Sequence, residues 1–293
     1  MATRELRGNR DWTQDEWTNH ALREIFNTYG DVVSTVTKAK SLSKFGITRN
    51  SDSGVKTTIA DFQGAVVNET FETTNAIDYI ISTSANDTGI ITLEGNTIDA
   101  DGNLAFVVQD ATLTGQTRAA LATPLARCTR MTVKDGTFAS PSVDLQGIVS
   151  AYVGTGGQSG AGVPSVDAAV KNRIRGDLGR NQTDKCATTV SSTDYWLIRE
   201  LHCGLEQSAG ATVNADFDLE VRRLGGVWKP VGVQVNMRTS TNPFENVQLV
   251  PYVVAPPNSE VRMVIVSDGT NVQAEARIEG ILAEIKPQDY NLK

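Results

Sequence analysis

The chain has 293 residues, 40% of them hydrophobic, a length that suits one large domain or two ordinary ones and a composition able to build a core. Asp and Glu outnumber Lys and Arg by 34 to 27, for a formal charge of -7, the wrong sign for a sequence-independent nucleic-acid binder. No apolar run approaches the roughly 18 residues that cross a bilayer, and three cysteines without metal-type spacing argue against a disulfide framework.

The first ten residues are charged and lack the apolar stretch of a secretory signal. Thr13-Gln14-Asp15-Glu16 then reads as a capping box, in which the Thr hydroxyl and the Glu carboxylate each satisfy a free backbone amide. Trp17, Ala21, Ile25 and Tyr29 follow at four-residue spacing, flanked by Leu22 and Phe26, and Gly30 stands where a helix-ending residue belongs. This predicts an amphipathic helix that either lies on its own domain or docks on a neighbouring subunit. Residues 31–44 have a period ambiguous between helix and extended chain, so 1–50 as a whole reads as an N-terminal arm.

From Gly54 onward the pattern changes. Short β-branched or aromatic runs appear at Ile59–Phe62, Val66–Phe71, Ile77–Thr83, Gly89–Leu93, Leu104–Val108, Arg118–Leu121, Cys128–Val133 and Gly147–Val153, separated by Asn, Asp and Gly clusters. Such punctuation predicts an antiparallel sandwich over 51–153. The Gly/Ser-dense stretch from Gly154 to Gly162 lacks the closing Gly-Lys-Ser/Thr of a phosphate loop, and 154–164 reads as a flexible linker. Further runs at Tyr195–Ile198, Ala215–Arg223, Gly226–Val235, Asn246–Val254, Glu260–Ser267 and Gln273–Ile285 predict a second sandwich over 165–293. Phe217, Leu219 and Val221 alternate with Asp216, Asp218 and Glu220, which predicts an apolar face and a solvated acidic one. The expected fold class is therefore all-β: two antiparallel β-sandwich domains preceded by a helical or extended arm.

Catalytic constellations are thin. Asp99, Asp101 and Asn103 could converge on calcium, but a following ligand series is missing and Asp-Gly turn chemistry accounts for them. His202 and Cys203 are neighbours, and adjacent strand residues point to opposite faces, which argues against a dyad. Trp196, Trp228 and Tyr252 are available to a sugar-binding face, and fit core packing at least as well. Basic residues cluster only locally, at Arg173 and Arg175 and at Arg222 and Arg223. No catalytic, cofactor or metal residue is assigned, and an enzyme is not expected.

Longer strings carry more. Leu22-Arg23-Glu24-Ile25-Phe26-Asn27-Thr28-Tyr29-Gly30-Asp31, Leu42-Ser43-Lys44-Phe45-Gly46, Thr123-Pro124-Leu125-Ala126-Arg127, Ser191-Ser192-Thr193-Asp194-Tyr195-Trp196, Val221-Arg222-Arg223-Leu224-Gly225-Gly226-Val227 and Pro256-Pro257-Asn258-Ser259-Glu260-Val261-Arg262 together resemble tailed-phage virion structural proteins, notably those of marine and cyanobacterial phages. The resemblance spans nearly the whole chain. It implies a non-enzymatic particle component built of β-sandwiches and located in the virion after assembly in the host cytoplasm. The role expected first is capsid decoration or cement, with the major capsid protein and copies of the chain itself as partners, in a trimer. A tail, neck, baseplate or fibre-adaptor subunit is the alternative, and a carbohydrate-binding module a further one. No cofactor, nucleic acid or membrane is expected among its partners. Trp12, Trp17 and Phe26 are the expected partner-binding anchors, because aromatic side chains bury large areas with few rotors.

Overall fold

Period-two runs of β-branched residues become strands when a second sheet can cover their apolar face. The computed structural model describes residues 35–51, 53–60, 72–134, 145–154, 158–159, 163–164, 170–207, 212–240 and 243–286. In chain order the strands are β1 (Thr35–Ser51), β2 (Thr57–Thr58), β3 (Ile77–Ser82), β4 (Ile90–Ile98), β5 (Leu104–Thr112), β6 (Ala119–Leu125), β7 (Arg127–Val133), β8 (Ile148–Val153), β9 (Gln158–Ser159), β10 (Val163–Pro164), β11 (Val170–Arg175), β12 (Ala187–Val190), β13 (Asp194–Gln207), β14 (Asn214–Arg223), β15 (Lys229–Arg238), β16 (Phe244–Ala255), β17 (Ser259–Ser267) and β18 (Val272–Lys286). Among the described residues no α-helix occurs, and Gly176–Leu178 forms a 3-10 turn.

The fold is all-β, as the sequence predicts. One sandwich packs the sheet β11-β8-β3-β6 on β5-β4-β7, around Ile80, Ile91, Leu93, Leu125, Met131 and Val149. The other packs β1-β18-β13-β16 on β12-β17-β14-β15, with β2 beside β17, around Trp196, Leu201, Phe217, Leu219, Met263 and Ile278. The strand pairings are antiparallel, and Phe217 and Leu219 face the core as their alternation requires.

Sheet membership departs from the boundaries expected at 51–153, 154–164 and 165–293. β11 lies beyond the glycine-rich stretch, yet it pairs with β8 in the first sandwich. The change of sandwich comes between β11 and β12. Glycine-rich composition signals backbone freedom, and a chain so freed can return to its own sheet as readily as leave it. At the other end β1 is no free arm. It pairs with β18 from Thr35↔Lys286 to Ser51↔Val272, so residues expected in the arm complete the second sandwich. Gly46 is required there, because a Cβ would sit 2.2 Å from the Cys186 backbone nitrogen and 2.4 Å from the Ile59 carbonyl oxygen. The expected helix over 13–30 and the strand expected at Val66–Phe71 lie outside the described residues, as do Trp12, Trp17 and Phe26.

β11 went unpredicted because Val-Lys-Asn-Arg-Ile-Arg reads as polar, although all six residues are buried. Its charges find partners at once: Lys171 meets Glu72 at 2.6 Å, Arg175 meets Asp177 at 2.8 Å, and Asn172 donates to the Cys128 carbonyl at 3.0 Å. Paired and hydrogen-bonded, such groups can enter a strand that an isolated charge would disrupt.

Candidate functional site

The two sandwiches meet through buried polar groups. Arg127, at the start of β7, is 4% exposed and pairs with the fully buried Glu260 of β17, while also donating to the Glu72 and Ala126 carbonyls. The second oxygen of Glu260 accepts from Arg222 of β14. Antiparallel register sets Arg222 opposite Glu260 and Glu220 opposite Arg262, so charges of opposite sign alternate across two strands. Glu220 completes the pattern by pairing with Lys56 at 2.6 Å and with Arg262 at 2.8 Å. The Trp228 ring lies 4.5 Å from the Arg222 guanidinium and 4.1 Å from that of Arg262, a double cation–π contact.

Uncharged hydrogen bonds extend the junction. Asn258, in the Pro-Pro-Asn-Ser turn with φ of 55°, accepts from the Leu104 amide at 2.8 Å and donates to Asn103 at 3.0 Å. Asn96 of β4 bonds Thr189 of β12 and lies 3.4 Å from the Ser191 hydroxyl. A buried ionic junction of this kind adds little net stability over an apolar one, but removing either carboxylate takes the counter-charge from two cations at once.

This corrects the solvated face expected for Asp216, Asp218 and Glu220. The first two are half-buried, whereas Glu220 is 2% exposed. Burial works against the charged form of Glu220, but hydrogen bonds from Lys56 and Arg262 outweigh it and hold its carboxyl below the usual range. Asp218 moves the other way, raised by burial and by the neighbouring Glu220 and Asp216 charges against the pull of Lys56. Arg173 and Arg175 are each 8% exposed, so they form no basic surface.

Asp99 is a turn residue, as the Asp-Gly reading predicts: its carboxylate accepts from the Asp101 amide at 3.0 Å and the Asn103 amide at 2.8 Å, with Gly102 at φ of 81°. His202 and Cys203 do point to opposite faces. Cys203 enters the core, where burial pushes its thiol up to about 12, and His202 stands outside. Glu200, His202 and Glu279 bring one ligand atom each within 4.8 Å of one another. Arg277 and Arg199 already engage Glu279, at 2.5 and 3.6 Å, so this trio forms part of an ion-pair patch. The aromatic trio disperses: Trp196 is fully buried in the core, Trp228 stacks on two arginines, and Tyr252 packs with Leu197 and Ala283.

A cleft of about 480 Å³ lies between β1 and β18 of one sandwich and β7 of the other, with the segment carrying Gln182 and Lys185. Four cationic side chains line it: Lys44, Arg130, Lys185 and Arg277. Sequence reasoning passed over Lys44, Arg127, Glu260 and Arg262. A signal was present, since Lys44 interrupts an inward series with Leu42 and Gly46, and Val264 shows that both faces of β17 carry apolar groups.

No family model matches the chain, and no curated protein matches it. Among solved structures, the T13 viral particle of infectious bursal disease virus overlaps at 11% identity over 89% of this chain and 73% of that one, with a TM-score of 0.22. Infectious bursal virus-derived T=1 particles overlap at 11% identity over 91% and 75%, with a TM-score of 0.21. Arthrobacter globiformis T6 isomalto-dextranase, complexed with panose, overlaps at 12% identity over 84% and 34%, with a TM-score of 0.20. Scores of this size assign none of them as a structural relative.

Proposed function

We propose that the chain is a non-enzymatic structural subunit of a tailed-phage virion, a decoration or cement protein on the capsid that binds the major capsid protein and further copies of itself. The observation carrying this reading is β16, an edge strand that exposes Phe244, Val250 and Val254 at 69%, 88% and 37%. Apolar side chains along an edge that pairs with no further strand among the described residues suit contact with neighbouring subunits. Pro251 lies within that strand and lacks an amide to donate, so the contact is made by side chains in preference to an added strand. The resemblance to phage virion proteins along most of the sequence supports the same role, and the interlocked junction suits a body that keeps its shape in a lattice.

Cryo-electron microscopy of virions carrying this chain tests the proposal, together with its copy number by quantitative mass spectrometry. Density over the shell in lattice-matched copies, at threefold or quasi-threefold positions, is expected. Density confined to the neck or tail overturns decoration in favour of a tail-adaptor role, and absence from purified virions overturns the structural reading altogether.

A further inference from the structure

We propose that the cleft between the sandwiches is a binding site for a tetrahedral oxyanion, a phosphate group, with Lys44 as its central ligand. The inference is independent of the virion reading. Lys44 sits on β1 opposite Ile278, in the inward series, at 7% exposure. The described residues give its ammonium neither a hydrogen bond nor an ion pair, although it lines an open cleft. A cation so largely shielded from water, with its remaining exposure toward the cleft, is poorly hydrated, a cost that an anion in the cleft relieves.

The neighbouring groups have the right sign. Lys185 spends donors on the Cys128 and Lys171 carbonyls, each at 3.2 Å, and adds its charge to the same wall. Arg130 and Arg277 stand at the mouth, 46% and 49% exposed, and pair with Glu94 at 3.6 Å and Glu279 at 2.5 Å. Burial lowers Lys44 to about 8; Glu94 opposes the shift, and the Arg130 and Lys185 charges reinforce it. Lys44 therefore still carries its proton at neutral pH. A carboxylate offers two oxygens in one plane, whereas a phosphate offers three or four in a tetrahedron and can accept from lysine point charges and guanidinium forks on several elements at once. Here those donors come from β1, β7, β18 and the 182–185 segment, with Ser41 and Ser43 on the rim.

The test is isothermal titration calorimetry on the full chain with inorganic phosphate and with glycerol 3-phosphate, against chloride at equal ionic strength. Saturable binding of one phosphate per chain is expected. Lys44→Met should weaken it at least about tenfold, the loss expected for a hydrogen bond to a charged group. In phosphate-free buffer Lys44→Met should melt at or above wild type, because it removes an unpaired buried charge. Tighter binding of the ester assigns the cleft to an organic phosphate, and equal or weaker binding to the free ion. Phosphate heats no larger than those of chloride, or wild-type affinity in Lys44→Met, overturn the proposal. Should Lys44→Met not fold, Arg130→Gln/Arg277→Gln, changed at half-exposed positions, decides by the same criterion.

Discussion

Glu260→Gln isolates what the junction contributes. The substitution keeps the side-chain shape and removes the charge that faces Arg127, which is itself 4% exposed, and Arg222, which is 16% exposed. Arg127 retains its bonds to two backbone carbonyls but loses the Glu260 charge that faces it in the interior. Removing one partner of such a pair costs about 3–5 kcal/mol, whereas removing both costs less, because the buried Arg127 charge goes with its carboxylate and the Arg222 charge that remains is 16% exposed. The expected single-mutant loss corresponds to a fall in Tm on the order of 10 °C for a chain of this size. Urea denaturation followed by circular dichroism, on Glu260→Gln, Arg127→Met and the double variant, measures the coupling directly. The double variant should be more stable than the summed singles by about 2 kcal/mol. Additivity to within about 0.5 kcal/mol would refute the reasoning, since it would mean that the two residues are independent in the folded chain.

Gly46→Ala should destabilise the second sandwich by about 1–3 kcal/mol or prevent its folding, as its Cβ meets two backbone atoms that cannot rotate away; a thermal melt reads this, and a wild-type Tm would refute it. Two carboxylates on β14 should respond oppositely to acid. The lowered pKa of Glu220 gives stability that is present above the unfolded value and lost as pH falls through the folded one, so Glu220→Gln should flatten the acid limb of a stability–pH curve. Asp218 is raised, so it costs stability above its folded value: Asp218→Asn should be more stable than wild type at pH 7 and equal to it near pH 3, and the reverse order would refute the assignment. Cys128, Cys186 and Cys203 are free and buried, with burial pushing Cys186 well above the ordinary thiol range; a thiol reagent should label none of them in the native chain and all three after unfolding.

Periodicity made much of the fold legible. The strands from β3 to β8 and from β13 to β18 coincide with β-branched runs, and the Gly225 turn and the Pro-Pro-Asn-Ser loop fall where turn chemistry puts them. Alternation identified Phe217 and Leu219 as core and separated His202 from Cys203. These are local properties, set within a few residues by the two-residue repeat of a strand. β1, β11 and β12 escaped the same reading for one physical reason: a lysine, arginine or threonine in a strand is tolerated only if something distant satisfies it. Asn172 bonds a carbonyl 44 residues away, and Arg127 finds its carboxylate at a separation of 133 residues. Lys44, the residue on which the anion cleft turns, shows in sequence only as a break in an apolar series. Local alternation therefore determined the class of fold and most of its strands. The return of β11 across the glycine-rich stretch, the capture of β1 by β18 and the pairing of charges at the junction were decided by tertiary structure, because the free energy of burying a charge depends on its neighbours in space.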